Sequence, residues 1–147
     1  NFVCPSPKAI LRECGVTRVL IDSSAWIHFF NRSSRRHHQA VLKLLHEDKG
    51  VICGPILTEI FRGARTEQEK RMLKEHFDWL EYLPLDREDF EAAAELGFRL
   101  ARHGNTMKTV DLLIGHLAFK HRIPLLHDDK DFERLALDIP IQILIPE

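Results

Sequence analysis

Acidic residues stand where predicted strands end and predicted helices begin, and this pattern points most directly to chemistry. Asp22 directly follows the apolar run 19–21, and Asp111 lies in the first turn of an apolar helix. The other acids are Glu59, in the helix after the second strand, and Asp128, Asp129 and Asp131, in the turn after the apolar run 123–126. Carboxylates without fixed positive partners form sites for hard divalent cations such as Mg²⁺ and Mn²⁺. Two such ions could activate a water and stabilise the leaving oxygen of a phosphodiester.

Each acid taken alone also has a structural explanation. Asp22 is a good N-cap for the helix after it, so cap and metal ligand are equally expected there. Glu59 alone would be a solvated helical residue, and Asp111 is favoured near a helix N-terminus by the helix dipole. The helix around Asp111 is apolar nearly all round, however, so its carboxylate needs a partner. The three acids between positions 128 and 131 repel one another unless a cation lies between them.

Short apolar strands alternate with amphipathic helices along the chain. The patterns predict strands at 19–21, 50–53, 123–126 and 141–144, a weak strand or a connection at 82–85, and helices at 23–30, 39–47, 56–63, 66–79, 86–103, 110–120 and 129–137. This order predicts an α/β fold, in which helices cover both faces of a mainly parallel sheet. The carboxyl ends of parallel strands meet at one edge, where ligands bind in such sheets. The acids are therefore expected to converge.

Helix-start signals refine these bounds. Thr66 and Glu69 have the spacing of a capping box, and Thr109 is expected to cap the helix that contains Asp111. In the long helix 86–103, the apolar spacing predicts a buried stripe. Its members are Phe90, Ala93, Ala94, Gly97, Leu100 and Ala101.

The charge and hydropathy of the chain exclude several classes of protein. Its 21 Lys and Arg against 22 Asp and Glu give a net charge of −1, so a nucleic acid would need a local basic patch or bound cations. Arg32, Arg35 and Arg36 are the candidate patch. No apolar run approaches the ~18–20 residues of a membrane span, and no signal peptide opens the chain. We therefore expect a cytoplasmic protein without a membrane partner.

The length of 147 residues is that of one ordinary domain. Residues 1–15 contain two prolines and no clear period, so we interpret them as an appendage to a domain spanning 16–147. Three cysteines, Cys4, Cys14 and Cys53, form an odd and sparse set that is typical of reduced thiols in the cytosol.

Histidines and serines offer other chemistries that the sequence does not favour. His37 and His38 are adjacent, and adjacent side chains point in different directions on a helix, so a shared metal is not expected. His116 is interpreted as a packing or surface residue. Ser23 and Ser24 lack the flanking glycines of a nucleophile elbow, which argues against serine hydrolysis.

Four segments resemble, in order and spacing, the signature segments of PIN-domain proteins, and more closely those of VapC toxins from bacterial toxin–antitoxin pairs. They are VLIDSSAW around Asp22, LTEI around Glu59, TVDLLIG around Asp111 and LLHDDKDF around Asp129. The resemblance spans roughly residues 17–145. It implies a three-layer α/β/α fold with a mainly parallel central sheet.

The same resemblance implies a toxin that is a Mg²⁺-dependent endoribonuclease, with Mn²⁺ able to substitute. It implies RNA as the substrate, a homodimer, and a cognate VapB-type antitoxin that keeps the toxin silent. An arginine on the antitoxin tail would suit the acidic pocket, and apolar contacts are expected around Trp26, Phe30 and Leu44.

The family's functional residues carry over by position. Asp22, Glu59 and Asp111 match its first three acids, and Asp129 and Asp131 match the acids of its last motif, either of which could be the main fourth acid. The resemblance thus implies that Asp22, Glu59, Asp111 and Asp129 are catalytic and that Asp131 joins them in binding metal. Two further positions complete the motifs: Ser24, where a hydroxyl often supports the metal site, and His127, where many relatives have Thr.

Two alternatives remain at this point. One is a metal-dependent phosphatase with Asp after its first strand, but such enzymes have a second Asp where this chain has Ser24. The other is a PIN-like scaffold that binds RNA or a partner without cleaving it. A scaffold could lose its acids, whereas every acidic position of the pattern is filled here.

Overall fold

The computed structural model describes residues 18–147, whose centre is a parallel β-sheet. The strands of this part of the chain are β1 (Val19–Ile21), β2 (Gly50–Cys53), β3 (Glu81–Leu83) and β4 (Leu125–Leu126). They lie in the order β3-β2-β1-β4, and every pairing is parallel. The interpretation of residues 1–15 as an appendage concerns positions outside the described residues.

Helices connect the strands and cover the sheet. Between residues 18 and 147 they are α1 (Ser23–Asn31), α2 (Arg35–His46), α3 (Gly54–Arg62), α4 (Glu67–Phe77), α5 (Arg87–Arg102), α6 (Thr109–His121) and α7 (Lys130–Asp138). Every residue of β1 and β2 is buried. Because successive strand residues point to opposite faces, both faces of the sheet must be covered. The predicted three-layer α/β fold is therefore confirmed.

The predicted last strand, 141–144, is much reduced. Its pairing consists of a single parallel bridge between Ile143 and Leu125, beside β4. Pro140 and Pro146 flank this segment and lack the N–H that an extended ladder would need. The edge of the sheet next to β4 is consequently short.

Several predicted helix ends shift because polar side chains set the caps. Helix α2 begins four positions before the predicted residue 39, since Ser34 caps it and accepts a hydrogen bond from His37 N. Thr66 caps α4 as predicted, but Glu69 accepts its hydrogen bond from Arg65 N, so the expected capping box is not closed. Thr109 is the first residue of α6 and not its cap.

The buried stripe of α5 was predicted only in part, since Ala93 and Leu100 are buried as expected but Phe90, Ala94 and Ala101 are exposed. It consists of Asp89, Ala93, Leu96 and Leu100, whereas Phe90 is 51% exposed. A capping box between Asp86 and Asp89 sets the start of α5 and turns the acid at 89 inward. The apolar periodicity alone could not show that a carboxylate belongs to the buried face.

Helix α6 is buried along most of its length and packs closely against α7. A Cβ placed on Gly115 would collide with the side chain of Leu135, so the glycine lets the two helices approach each other. This contact fixes α7, and with it the turn that carries the last acids, against the helix that carries Asp111. Among residues 18–147 no helix has the length and apolarity needed to cross a membrane.

Candidate active site

Asp22 lies at the carboxyl end of β1, where it acts as the N-cap of α1. Its Oδ2 accepts hydrogen bonds from Ser24 N at 3.0 Å and from Ser24 Oγ at 2.5 Å. The residue is buried. Burial raises the pKa of Asp22, and the nearby Glu59 adds to the increase, while the bonds from Ser24 oppose it. Asp22 is therefore an N-cap, as the sequence suggested, and it also lies at the edge of the sheet where the other acids are found.

Ser24 connects the ends of two neighbouring strands. Its Oγ donates to Asp22 and accepts a hydrogen bond of 2.9 Å from Asp128 N, in the turn after β4. The backbone continues this connection, because Asp22 N donates to Leu126 O at 2.9 Å. The predicted meeting of strand ends is thus made by direct hydrogen bonds.

Glu59 lies on α3, the helix after β2, at the margin of the site. Its Oε2 accepts a hydrogen bond from the hydroxyl of Ser23, at the start of α1. Helix α3 begins at Gly54, directly after β2 and two residues before the predicted start at 56, with Pro55 in its first turn. This arrangement aims Glu59 back toward the first strand.

Asp111 is the most strongly perturbed acid of the group. It is buried in the first turn of α6. Burial raises its pKa to about 6, and the charges of Asp129, Asp22 and Asp131 act in the same direction. Its Oδ2 is fully buried and has no hydrogen-bond partner among the described residues. A buried carboxylate oxygen in this state needs either a proton or a cation.

Asp129 and Asp131 complete a cluster with Asp111. One carboxylate oxygen from each residue lies within 4.8 Å of those of the other two. Asp129 is the N-cap of α7 and accepts a hydrogen bond from Asp131 N at 2.9 Å. Asp131 is also paired with Arg134, one turn further along α7. We call Asp111, Asp129 and Asp131 the acidic cluster.

The acids suggested by the sequence thus separate into three groups. The acidic cluster lies at the centre, with Asp22 close enough to raise the pKa of Asp111. Glu59 borders Asp22 from α3 and raises its pKa in turn. Asp128 points elsewhere, since its Oδ2 lies 2.5 Å from His28 Nε2. The crowding of acids at 128–131 is therefore relieved partly by a histidine.

His127 positions the turn that carries the last acids. It is buried, and its Nδ1 accepts a hydrogen bond of 2.9 Å from Asp129 N. Burial lowers the pKa of the imidazole, which favours the neutral form that this acceptor role requires. A threonine hydroxyl could accept the same bond, which explains how His can occupy this position of the motif.

One group of basic residues was predicted from the sequence, and one basic ion pair was missed. Arg32, Arg35 and Arg36 are exposed, as expected for a surface patch, although the last two lie on α2 and not in a loop. The ion pair of Arg134 with Asp131 was missed, although the i, i+3 spacing on a predicted helix could have indicated it.

A second acid–base cluster, between α5 and α6, was also missed. Asp89 Oδ1 accepts hydrogen bonds from His116 Nε2 at 2.8 Å and from Lys120 Nζ at 2.9 Å. The interpretation of His116 as a packing or surface residue overlooked this bond. The i, i+4 spacing of His116 and Lys120 puts them on one helix face, but only the tertiary structure brings Asp89 to that face.

A cavity of about 480 Å³ opens beside Glu59. It lies between α3, β3 and the N-terminal parts of α5 and α6, and its wall includes Arg62, Tyr82 and Phe90. Tyr82 and Phe90 are each about half exposed. The cavity therefore combines a cationic side chain with aromatic side chains next to an acid of the site.

The chain is similar in sequence to known proteins over most of its length. Residues 19–137 match the sequence profile of the family described as PIN domain. Ribonuclease VapC11 of Mycobacterium tuberculosis is 34% identical over 122 residues, which are 80% of this chain and 91% of that protein. Ribonuclease VapC21 of the same organism is 33% identical over 127 residues, which are 82% of this chain and 87% of that protein.

Solved structures share the fold. DNA-bound VapBC from Salmonella typhimurium superposes with a TM-score of 0.71 at 18% identity, covering 86% of this chain and 96% of that one. VapBC2 from Rickettsia felis, bound to a DNA fragment from its promoter, superposes with a TM-score of 0.68 at 21% identity, with the same coverage of both chains. Similarity at these identities establishes the architecture.

Proposed function

The chain belongs to the PIN-domain family and, within it, to the VapC ribonucleases, and from this membership we propose that it is the toxin of a toxin–antitoxin pair. It is an endoribonuclease that hydrolyses RNA phosphodiester bonds with a divalent cation, and a VapB-type antitoxin inhibits it. Its relatives are named ribonucleases, and its structural neighbours are VapBC assemblies. Both observations support the proposal.

The acidic cluster is the observation that carries this proposal. The buried Oδ2 of Asp111 lacks a hydrogen-bond partner among the described residues, and the oxygens of Asp129 and Asp131 lie within 4.8 Å of the carboxylate. Hard divalent cations prefer such an all-oxygen ligand set. The residues present therefore fit Mg²⁺, with Mn²⁺ as a substitute, and Asp22 and Glu59 would complete the site.

The residues of the site have different roles in hydrolysis. When bound, a Mg²⁺ or Mn²⁺ ion supplies Lewis acidity to the scissile phosphate and favours loss of a proton from the attacking water. Asp22, held by two hydrogen bonds from Ser24, provides a fixed carboxylate at the end of β1. Glu59, held by Ser23, orients the attacking water from the margin of the site.

The cavity beside Glu59 provides binding for the RNA strand. Arg62 can pair with a phosphate, and the exposed rings of Tyr82 and Phe90 offer faces on which unpaired bases stack. These contacts explain how a protein of net charge −1 can hold a polyanion. Single-stranded segments of RNA are the substrates that suit this surface.

Cleavage of RNA by the purified full chain tests the function. We expect cleavage with Mg²⁺ or Mn²⁺ and none with EDTA. Asp22→Asn and Asp111→Asn should abolish cleavage while leaving the circular dichroism spectrum unchanged, because they remove charge with little change in shape. Glu59→Gln should be milder. Asp78→Asn, in an exposed ion pair with Lys74 on α4, is the matched control and should cleave normally. Full cleavage in EDTA or by Asp111→Asn would contradict the proposal.

The assembly follows from the same membership. We infer a tight complex with the antitoxin and a homodimer of the toxin itself. Large apolar side chains exposed on the described surface provide area for these contacts: Ile27, Phe30, Leu42, Met72, Trp79, Phe98, Phe119 and Leu137. Light scattering of the isolated toxin should give the mass of a dimer. A monomeric mass at micromolar concentration would contradict the homodimer.

A further inference from the structure

We propose that His28, His37 and Asp128 form a second metal site, which binds a transition-metal ion of the Zn²⁺ type. One ligand atom of each residue lies within 4.8 Å of those of the other two. The three residues come from α1, α2 and the turn after β4, so the fold brings them together from distant parts of the chain. None of them belongs to the acidic cluster.

The side chains already face one another. His28 Nε2 lies 2.5 Å from Asp128 Oδ2. The rings of His28 and His37 are stacked, with centroids 4.9 Å apart and planes inclined by 28°. The carboxylate and the two imidazoles thus surround one small volume at the surface.

Each imidazole is also oriented by an oxygen behind it. His28 Nδ1 is 2.7 Å from Ser33 Oγ. Both nitrogens of His37 face an oxygen, since Ser34 Oγ lies 2.9 Å from Nδ1 and the backbone oxygen of His127 lies 3.1 Å from Nε2. The nitrogen that binds the ion would exchange its contact, and the other contact would keep the ring oriented. Histidines that bind metals usually have their second ring nitrogen held in this way, because the contact fixes the tautomer and the ring plane.

The spacing needs only a small adjustment to suit zinc. Donor atoms about 2.0–2.2 Å from a tetrahedral ion lie roughly 3.3 Å from each other. His28 and Asp128 would move slightly apart and His37 would move inward. His28 and His37 are half-buried and Asp128 is exposed, so these movements do not disturb the core. A water or an external ligand would complete the tetrahedron.

The ligand types distinguish this site from the acidic cluster. Imidazole nitrogen suits zinc, nickel, cobalt and copper, whereas Mg²⁺ prefers oxygen ligands. The two sites should therefore fill independently, one with Mg²⁺ and the other with zinc.

His38 is next to His37 in the sequence, but its side chain has other partners. Its Nδ1 lies 3.0 Å from Phe29 O, and its ring stacks on that of Phe29. His38 is thus turned away, as expected for adjacent residues on a helix. The partner of His37 is His28, which lies on another helix, so sequence spacing could not indicate the site.

Zinc binding in the presence of millimolar Mg²⁺ tests the proposal. The purified full chain would compete with a chromogenic zinc chelator, and Co²⁺ in place of zinc would report coordination geometry through its visible absorption. We expect the wild type to bind one equivalent of zinc. This binding should be lost in His28→Gln and in His37→Gln, and its affinity should be weakened at least tenfold in Asp128→Asn. Asp128 is exposed, so that variant should fold normally.

Two controls make the outcome decisive. His46→Gln, at an exposed position of the same helix α2, should retain the equivalent. Asp111→Asn should retain it too, since the acidic cluster is not involved. Equal zinc binding by wild type and by all three variants at His28, His37 and Asp128 would overturn the proposal. Loss of the equivalent in Asp111→Asn would overturn it as well, because the zinc would then occupy the acidic cluster.

Discussion

His116 Nε2 lies 2.8 Å from Asp89 Oδ1 and joins helix α6 to helix α5. Lys120 donates to the same oxygen, and Asp86 N donates to Oδ2, so the buried carboxylate of Asp89 has partners on both of its oxygens. Burial would raise the pKa of Asp89, but these hydrogen bonds outweigh it and hold the pKa well below its usual range. The pair lies outside the candidate active site, but it holds in place α6, the helix that carries Asp111.

Asp89→Ala should therefore destabilise the fold without touching the acids of the site. It removes three hydrogen bonds and leaves His116 without its partner, so we expect a loss of about 3 kcal/mol in the free energy of unfolding. Urea denaturation measures this loss. Glu95→Ala, at an exposed position of α5, is the control and should change stability by less than about 0.5 kcal/mol. Equal urea midpoints for the two variants would show that the contacts of Asp89 with His116 and Lys120 do not contribute to stability.

The stability of the metal-free protein should depend on pH through Asp111. Its folded pKa of about 6 lies above the unfolded value of about 3.9, so the folded state binds more protons between these limits. The contribution of Asp111 to stability should fall as the pH rises from about 4 to about 6 and then level off. Asp89 acts with the opposite sign, but only below about pH 4, because its pKa is lowered.

Thermal melts in EDTA measure this effect. Burial lowers the pKa of His127 and His121, so these histidines act with the opposite sign over the same range. Relative to Asp111→Asn, the melting temperature of the wild type should therefore fall between pH 5 and pH 7, because Asn cannot ionise. At pH 7 the variant should be the more stable protein. A change in melting temperature between pH 5 and pH 7 that is the same for the wild type and for Asp111→Asn would show that Asp111 does not contribute to the pH dependence.

Divalent cations should offset the destabilisation that repulsion among the carboxylates of the acidic cluster causes. A cation that binds only the folded state stabilises it by about 2.7 kcal/mol at a hundred times its dissociation constant. We expect millimolar Mn²⁺ to raise the melting temperature of the wild type at pH 7 and to leave Asp111→Asn nearly unchanged. An unchanged wild-type melt would count against the acidic cluster as a metal site.

The order of strands and helices, and the acids at the sheet edge, could be predicted from the sequence because periodicity and motif spacing are local signals. The buried face of α5 could not, because Asp89 is buried only through partners on α6. The separation of Asp128 from the acidic cluster depends likewise on His28, a hundred residues earlier in the chain. Sequence patterns locate chemical groups on elements, but pairings between elements need the three-dimensional arrangement.

Tyr82 should contribute to binding of the RNA strand beside Glu59. Stacking of a base on an aromatic ring is worth about 1–3 kcal/mol, so Tyr82→Ala should raise KM about tenfold with a smaller effect on kcat. Tyr82→Phe keeps the ring and should behave like the wild type, which separates stacking from a role of the hydroxyl. Steady-state cleavage of a short single-stranded RNA measures both constants. A loss in kcat alone would place Tyr82 in the chemical step.

The antitoxin should contact the two helices expected from the sequence, α1 and α2, through the apolar residues that are exposed on them. Trp26 and Leu44 belong to the core, being 2% and 7% exposed, so they cannot anchor a partner. On the same two helices, Ile27, Phe30 and Leu42 are 49%, 40% and 38% exposed. Ile27→Asp and Leu42→Asp should therefore weaken the complex, whereas Ile145→Asp, at an exposed position outside these helices, is the control. The affinity for the antitoxin, measured by calorimetry, tests this assignment.

An arginine on the antitoxin tail should neutralise the acidic cluster. Its guanidinium stays charged at any relevant pH and offers five donors in a fork that suits carboxylates, including the Oδ2 of Asp111, which has no hydrogen-bond partner within residues 18–147. It would compete directly with the metal ion. Replacing that arginine by Ala should restore part of the nuclease activity while the complex persists, because apolar burial supplies most of the affinity. An Ala variant that remains fully inhibited in an intact complex would mean that the tail blocks RNA sterically or that the antitoxin separates the toxin dimer.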